Sequence, residues 1–195
     1  KLRWFRANRP DVYDSIATTF TIGDWVAYRL TGELAAQETL AAEAGLLDSV
    51  SGDWATALLE KLGLRTDWFP PLTKHGTTIG GVTKPVSEAI GVQPGTPVVV
   101  AGPDTQCGLL AMGVGEPGAV GVIAGWSMTA QAITAEPQPD AAKRTWVGRH
   151  VVPGRWIAEA NAGDGGNAYR WLRDLVFGTA DDAYQAMEGM ANNVP

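Results

Sequence analysis

Thr96-Pro97-Val98-Val99-Val100-Ala101-Gly102-Pro103-Asp104-Thr105 is the stretch that decides the fold class. The three valines at its centre and Ala101 beside them predict a buried strand. Gly102-Pro103 breaks that run, and Asp104-Thr105 opens a short helix carrying Leu109, Leu110 and Met112. A strand passing through a Gly-Pro turn into a helix is a building unit of α/β folds, and ligands bind at the carboxyl ends of such strands. Asp104 stands at that point. Its residue type suits a helix N-cap, and an ionised carboxylate there can also take a proton from a hydroxyl. Position alone leaves both roles open.

Upstream, Leu2, Trp4 and Phe5 predict a short helix ending near Asn8, before Pro10. Ile22, Trp25, Val26 and Leu30 recur at helical spacing, and Thr31-Gly32 supplies the stop. A third helix is expected from Trp54 through Leu62, with Asp53 as N-cap and Gly63 just past its end. Trp68 to Leu72 holds Pro70-Pro71 and predicts an irregular crossing, Gly76 to Val82 a Gly-punctuated strand, and Ser87 to Ile90 a brief helix closed by Gly91. Downstream, Gly113 to Gly118 is a Gly/Pro turn and the most plausible domain seam. Ala119 to Gly125 and Met128 to Thr134 predict a hairpin joined at Trp126-Ser127, and Trp156 to Asn161 a further strand. Gly163-Asp164-Gly165-Gly166 then opens a helix whose core face carries Ala168, Trp171, Leu172, Leu175 and Val176, and Asp181 to Met190 forms the last helix.

Composition narrows the function. The 195 residues are 45% hydrophobic and 18% charged, enough to bury a core. A formal net charge of −6 leaves no basic surface for nucleic acid or an anionic membrane. No apolar run is long enough for a membrane span, and the start does not resemble a signal peptide. One cysteine, Cys107, precludes an internal disulfide, and with only His75 and His150 beside it a Cys/His zinc cage is ruled out. Cys107 is expected to be a buried structural thiol, and both histidines to lie on the surface or in loops. A reducing, cytoplasmic compartment fits. Lys1 starts what looks like mid-helix and Pro195 follows a helical run, so the chain is expected to be an internal piece of a longer protein.

Two glycine motifs need weighing. Gly113-Val114-Gly115-Glu116-Pro117-Gly118 spells G-x-G-x-x-G, but it follows a helix and precedes a strand, the reverse of the dinucleotide fingerprint. Gly163-Asp164-Gly165-Gly166-Asn167-Ala168 has the right order, strand before and helix after. A Gly-rich helix start offers free N–H groups and a favourable dipole to a phosphate. The same glycines equally serve close helix–strand packing. A dinucleotide-binding oxidoreductase would need a second strand ending in an acid, whereas Phe177-Gly178 leads to Asp181-Asp182 and another helix. Gly125-Trp126-Ser127 is a tight hairpin able to present N–H groups and a hydroxyl to phosphate oxygens.

Taken in order, these segments resemble the FGGY family of carbohydrate kinases, which includes glycerol, xylulose, ribulose, gluconate and autoinducer-2 kinases. Lys1-Leu2-Arg3-Trp4-Phe5 with Asn8 and Pro10 is similar to the family's K-x-x-W-…-N-x-P segment. Asp24-Trp25 with Leu30-Thr31-Gly32 is similar to its D-[YW]-…-L-T-G helix. Asp53-Trp54, Phe69-Pro70-Pro71 and Gly95-Thr96-Pro97-Val98-Val99 match further landmarks at the right intervals.

The resemblance implies a ribonuclease-H-like, actin-like α/β fold of which this chain spans parts of two domains. Residues 1–112 would be the later part of the sugar-binding domain, 113–118 the seam, and 119–195 the start of the nucleotide-binding domain. It implies ATP and Mg2+ as cofactors, the Mg2+ held through the phosphates with no metal ligand assigned to the protein. It implies Asp104 as the catalytic base toward a sugar or polyol hydroxyl, a pentulose such as xylulose being the first expectation. Thr105 stands where the family usually places Asn or Gln against the sugar, and Trp126 replaces the Thr of its G-T-[SG] hairpin. Gly125, Trp126, Ser127, Gly166 and Arg170 fall on the nucleotide side. The Arg144-Thr145-Trp146 to Trp156 region is similar to the autoinducer-2 kinase branch, and a non-catalytic actin-like nucleotide-binding module is the other alternative. The partners are a small sugar and ATP, with a homodimer as the candidate protein assembly, and residues 1–195 alone are expected to be inactive.

Overall fold

The computed structural model describes residues 1–178 and 180–194. Helices α1 (Leu2–Asn8) and α2 (Pro10–Asp14) meet at Arg9, where the proline takes the first helical position of α2 and needs no N–H partner. Their apolar faces close over Tyr13, Leu59, Leu64 and Trp68, a core in which the Tyr13 and Trp68 rings meet edge to face at 4.8 Å.

Helix α3 (Ile22–Thr31) starts at Thr21, whose side chain accepts the Asp24 N–H, and stops at Gly32 in the left-handed conformation. Buried Asp24 carries the chain onward: its Oδ1 accepts the Gln37 N–H at 3.0 Å and its Oδ2 accepts the Thr21 hydroxyl at 2.7 Å. Gln37 ends β1 (Ala36–Gln37), and its Oε1 in turn accepts the Leu40 N–H at 2.7 Å, capping α4 (Glu38–Glu43). This relay of buried polar groups fixes α4 against α3.

Asp53 does not cap the next helix. Trp54 is held by a bridge to Leu47 and by its Nε1–H on the Pro70 carbonyl at 2.9 Å, so α5 (Thr56–Lys61) begins only after Ala55. The expected crossing at Pro70-Pro71 leads into β2 (Leu72–Thr73), parallel to β1. Strand β3 (Thr78–Gly81), helix α6 (Lys84–Ile90) and strand β4 (Pro97–Val99) follow as expected in type. The valine run is only partly buried, however: Val100 lies in the core, Val98 is half-buried and Val99 faces outward. Among the described residues β4 pairs with β3 alone, antiparallel, and Val99 is 52% exposed.

Helix α7 (Asp104–Ala111) packs through fully buried Leu109 onto β5 (Val120–Ala124). With β6 (Met128–Thr134), β7 (Trp146–Arg149) and β8 (Trp156–Asn161), β5 forms an antiparallel sheet in the order β5-β6-β8-β7. Strand β7 carries no strong strand pattern and was not foreseen. Helices α8 (Gly165–Phe177) and α9 (Ala183–Ala191) follow, joined by a stack of Tyr169 on Tyr184. The apolar stripe of α8 does not face a core here: it has no buried residue, and Trp171 and Leu175 are each 65% exposed.

The turn between β7 and β8 grips the first half of the chain. Gln106, fully buried on α7, accepts the Val151 N–H at 2.8 Å and donates to the Arg149 carbonyl at 3.2 Å. The Trp156 indole donates to the Ser49 carbonyl at 2.8 Å, and Arg155 pairs with Glu116 at 2.7 Å. His150 lies in this turn but is buried, not on the surface; its Nδ1 accepts the Val152 N–H at 3.1 Å. Burial, with Arg155 and His75 nearby, holds its pKa below the ordinary imidazole value. His75 is part-buried in the loop before β3, and Cys107 is half-buried where a buried thiol was expected.

Candidate active site

Between the start of α7 and the inner face of the four-stranded sheet lies a cavity of about 260 Å3. Asp104, Thr105 and Ser127 line it together. Asp104 occupies the first turn of α7, while Pro103 takes the N-cap position, so the aspartate is not the cap. Its Oδ1 accepts the Thr105 N–H at 2.7 Å, and its Oδ2 has no hydrogen-bond partner among the described residues. A carboxylate held by one oxygen at a helix start, with the other oxygen free toward a cavity, is placed to accept a proton from a hydroxyl.

Four charged or amide-bearing lining residues escaped the sequence reading. Glu43 ends α4, Arg149 ends β7, and Glu159 and Asn161 lie on β8. Strand periodicity carried a signal for two of them: Glu159 and Asn161 alternate with Ala158 and Ala160, on the same face as buried Ile157. Glu159 Oε2 accepts the Gln131 amide at 2.7 Å, and Asn161 donates to the Thr129 hydroxyl at 2.9 Å. Burial raises the Glu43 carboxyl from its ordinary value near 4.5 to about 7, with the charges of Glu159 and Asp104 adding to the rise and the Gln106 amide opposing it.

The Gly-rich elements meet beside the cavity. The Gly166 N–H donates to the Trp126 carbonyl at 2.9 Å, and a Cβ on Gly166 would lie 2.9 Å from the Gly125 carbonyl oxygen. Glycine at 166 is therefore required by close helix–hairpin packing. The Gly125 N–H donates to the Ser127 carbonyl, leaving the Trp126 and Ser127 amides without a backbone acceptor among the described residues. Those two tip amides, not Gly125 and Gly166, are the N–H groups suited to an anion. The Trp126 ring is 69% exposed and, like Arg170 on α8, does not line the cavity. Strand β8 runs antiparallel to both neighbours, so the 163–168 glycines do not sit in the parallel βαβ unit a dinucleotide needs. Among the described residues no group of three or more His, Cys, Asp or Glu is arranged to hold a metal ion.

A carboxylate with one free oxygen, on a cavity beside a hairpin tip with free amides, is an arrangement able to take a proton on one side and meet an anion on the other. Residues 1–111 match the model of the FGGY family of carbohydrate kinases, N-terminal domain, and the chain belongs to that family. Over its whole length it is 38% identical to an autoinducer-2 kinase from Enterobacter sp. (strain 638) and covers 38% of that protein. It superposes on the xylulose kinase from Rhodospirillum rubrum with a TM-score of 0.84 at 28% identity, covering 100% of this chain and 40% of that one. A ligand-bound xylulose kinase from Lactobacillus acidophilus gives 0.85 at 19% identity, covering 100% of this chain and 39% of the other, a likeness of fold alone. The fold is the α/β, ribonuclease-H-like, actin-like one of these kinases.

Proposed function

We propose that the protein carrying this chain is an ATP-dependent carbohydrate kinase in which Asp104 is the general base. The free Asp104 Oδ2 at the cavity, opposite the β5–β6 hairpin, is the observation that carries this reading. Residues 1–112 act as the acceptor-binding part, 113–118 as the seam and 119–195 as the nucleotide-binding part, in keeping with a family match that ends at residue 111.

Asp104 takes the proton from the attacking hydroxyl, and Thr105 and Ser127 border the reacting groups. The tip amides of Trp126 and Ser127 fit phosphate oxygens, with Gly125 and Gly166 shaping the hairpin against α8. ATP supplies the phosphoryl group, and Mg2+ is carried on its phosphates. Trp126 contributes backbone, and Arg170 is at most a peripheral nucleotide contact. Similarity to autoinducer-2 kinases, over the whole of this chain and 38% of their length, favours an acceptor of that type over a simple pentulose. Cytoplasmic localisation accords with the chemistry, and among the described residues no helix is long and apolar enough to cross a membrane.

The test is acceptor-dependent ADP release by the complete protein across a panel of ketoses, polyols and autoinducer-2. Release with at least one acceptor is expected. ATP binding in calorimetry with no release would favour a non-catalytic actin-like module instead.

A further inference from the structure

The cavity is unevenly charged. Three carboxylates, Asp104, Glu43 and Glu159, line it, and none is in an ion pair among the described residues. Its one guanidinium, Arg149, is engaged elsewhere: it donates to the Ser49 carbonyl at 3.2 Å and lies over the Trp156 ring at 5.6 Å. Glu159 is held by Gln131, and Asp104 by the Thr105 amide. Glu43 is different. Its carboxyl is in no ion pair among the described residues, the Gln106 amide is the polar side chain that acts on it, and the helix that presents it is fixed by the Asp24–Gln37 relay. A carboxyl on a rigid helix, lining the same cavity as the proposed base and touched only by the Gln106 amide, can bind a ligand there.

We infer that Glu43 is a specificity-determining residue: it hydrogen-bonds a hydroxyl of an uncharged polyhydroxy acceptor and, with Glu159, excludes acceptors bearing a carboxylate or phosphate. This rests on the kinase reading above. Near neutrality Glu43 is part protonated, so it can either donate to an acceptor oxygen or accept from a hydroxyl. An anion entering the same space meets like charges in a partly dehydrated pocket, which lowers affinity by about a hundredfold or more. A neutral polyol meets only hydrogen-bond partners. Losing a partner for a bound hydroxyl weakens binding by about tenfold.

The experiment compares xylitol and D-xylulose with gluconate in the complete protein, reading kcat, KM and calorimetric Kd. Wild type is expected to prefer the neutral compounds by about a hundredfold or more. Glu43→Gln keeps the size and removes the charge. The Gln amide can still bond the hydroxyl, so KM for the neutral acceptor should change by no more than about threefold, while the neutral-to-gluconate preference should narrow about tenfold; Glu43→Ala, which removes the partner, should raise KM for the neutral acceptor about tenfold. Glu43→Asp, with the charge kept but drawn back, should weaken neutral binding yet retain the exclusion. In wild type the preference should also rise several-fold between pH 6 and pH 8 as Glu43 ionises beside Glu159, Asp104, Gln106 and Arg149, and the Gln variant should flatten that rise. If no acceptor yields ADP, the kinase reading fails, while the binding arm still decides this inference. Equal binding of xylitol and gluconate by wild type, or a preference unchanged in Glu43→Gln, overturns it.

Discussion

Replacing Gln106 by Leu removes the clamp that joins the start of α7 to the β7–β8 turn. The side chain is fully buried, and its amide makes two bonds across the chain, to the Val151 N–H at 2.8 Å and the Arg149 carbonyl at 3.2 Å. Leucine fills nearly the same volume, so the cost comes chiefly from the orphaned groups. Val151 is itself 1% exposed, and water cannot replace the lost acceptor. A buried unsatisfied donor or acceptor costs about 1–3 kcal/mol, and the longer bond to Arg149 belongs at the low end. The sum is about 3 kcal/mol, equivalent to a fall in melting temperature of about 6–12 °C for a domain of this size. Denaturant midpoints of wild type and variant in the complete protein measure it, with hydrogen exchange at the Val151 amide as the local readout. A loss below about 0.5 kcal/mol with the Val151 amide still protected would refute the clamp, since an unmade buried bond cannot be that cheap.

Glu43 should make stability depend on pH. Its folded pKa is raised to about 7 from near 4.5, so between these values the native state binds more protons than the unfolded chain and stability falls as pH rises, levelling off above about 7. Full conversion of that shift gives about 3 kcal/mol, and screening in this half-open cavity leaves about 1–2 kcal/mol. Melts across pH 4 to 8 should show the slope in wild type and lose it in Glu43→Gln; an identical slope in both would assign it to another group. Gly166→Ala forces a Cβ to within 2.9 Å of the Gly125 carbonyl and 3.0 Å of the Trp126 Cα, both backbone. It should cost about 1–3 kcal/mol and weaken ATP binding, with unchanged melting and ATP affinity as the contrary result in scanning and titration calorimetry.

Elements carried by local chemistry were legible in the sequence. Gly32 closes α3, Gly91 closes α6, and the Gly125-Trp126-Ser127 turn joins two strands as its residues demand. The junction at Asp104 was also visible, because a broken valine run before a helix has few other meanings. Features decided by distant partners were not. Burial of β4 and of the α8 stripe was expected from apolar content, but burial needs a covering element, and among the described residues α3 covers β4 and α9 covers α8 only in part. His150 is buried because the β7–β8 turn docks against Gln106, a contact spanning more than forty residues. Glu43 was missed because α4 is capped by a glutamine, an uncommon N-cap, and its alanine-rich run shows little periodicity. Asp53 failed as a cap because tertiary anchoring of Trp54 delays the helix. Trp126 and Arg170 came from family positions, and their exposed side chains leave the cavity to residues that sequence spacing does not bring together.

The general-base role of Asp104 is tested most directly by the turnover of Asp104→Asn in the complete protein. Asparagine retains an Oδ1 to accept the Thr105 N–H, held at 2.7 Å in the native chain, so the start of α7 keeps its structure. It cannot take a proton. Removing a general base typically lowers the rate by about 10²–10⁴-fold, and a fall of that size is expected with melting temperature and ATP affinity unchanged. Turnover within a few fold of wild type would contradict the account, and the base would have to be sought elsewhere in the cavity.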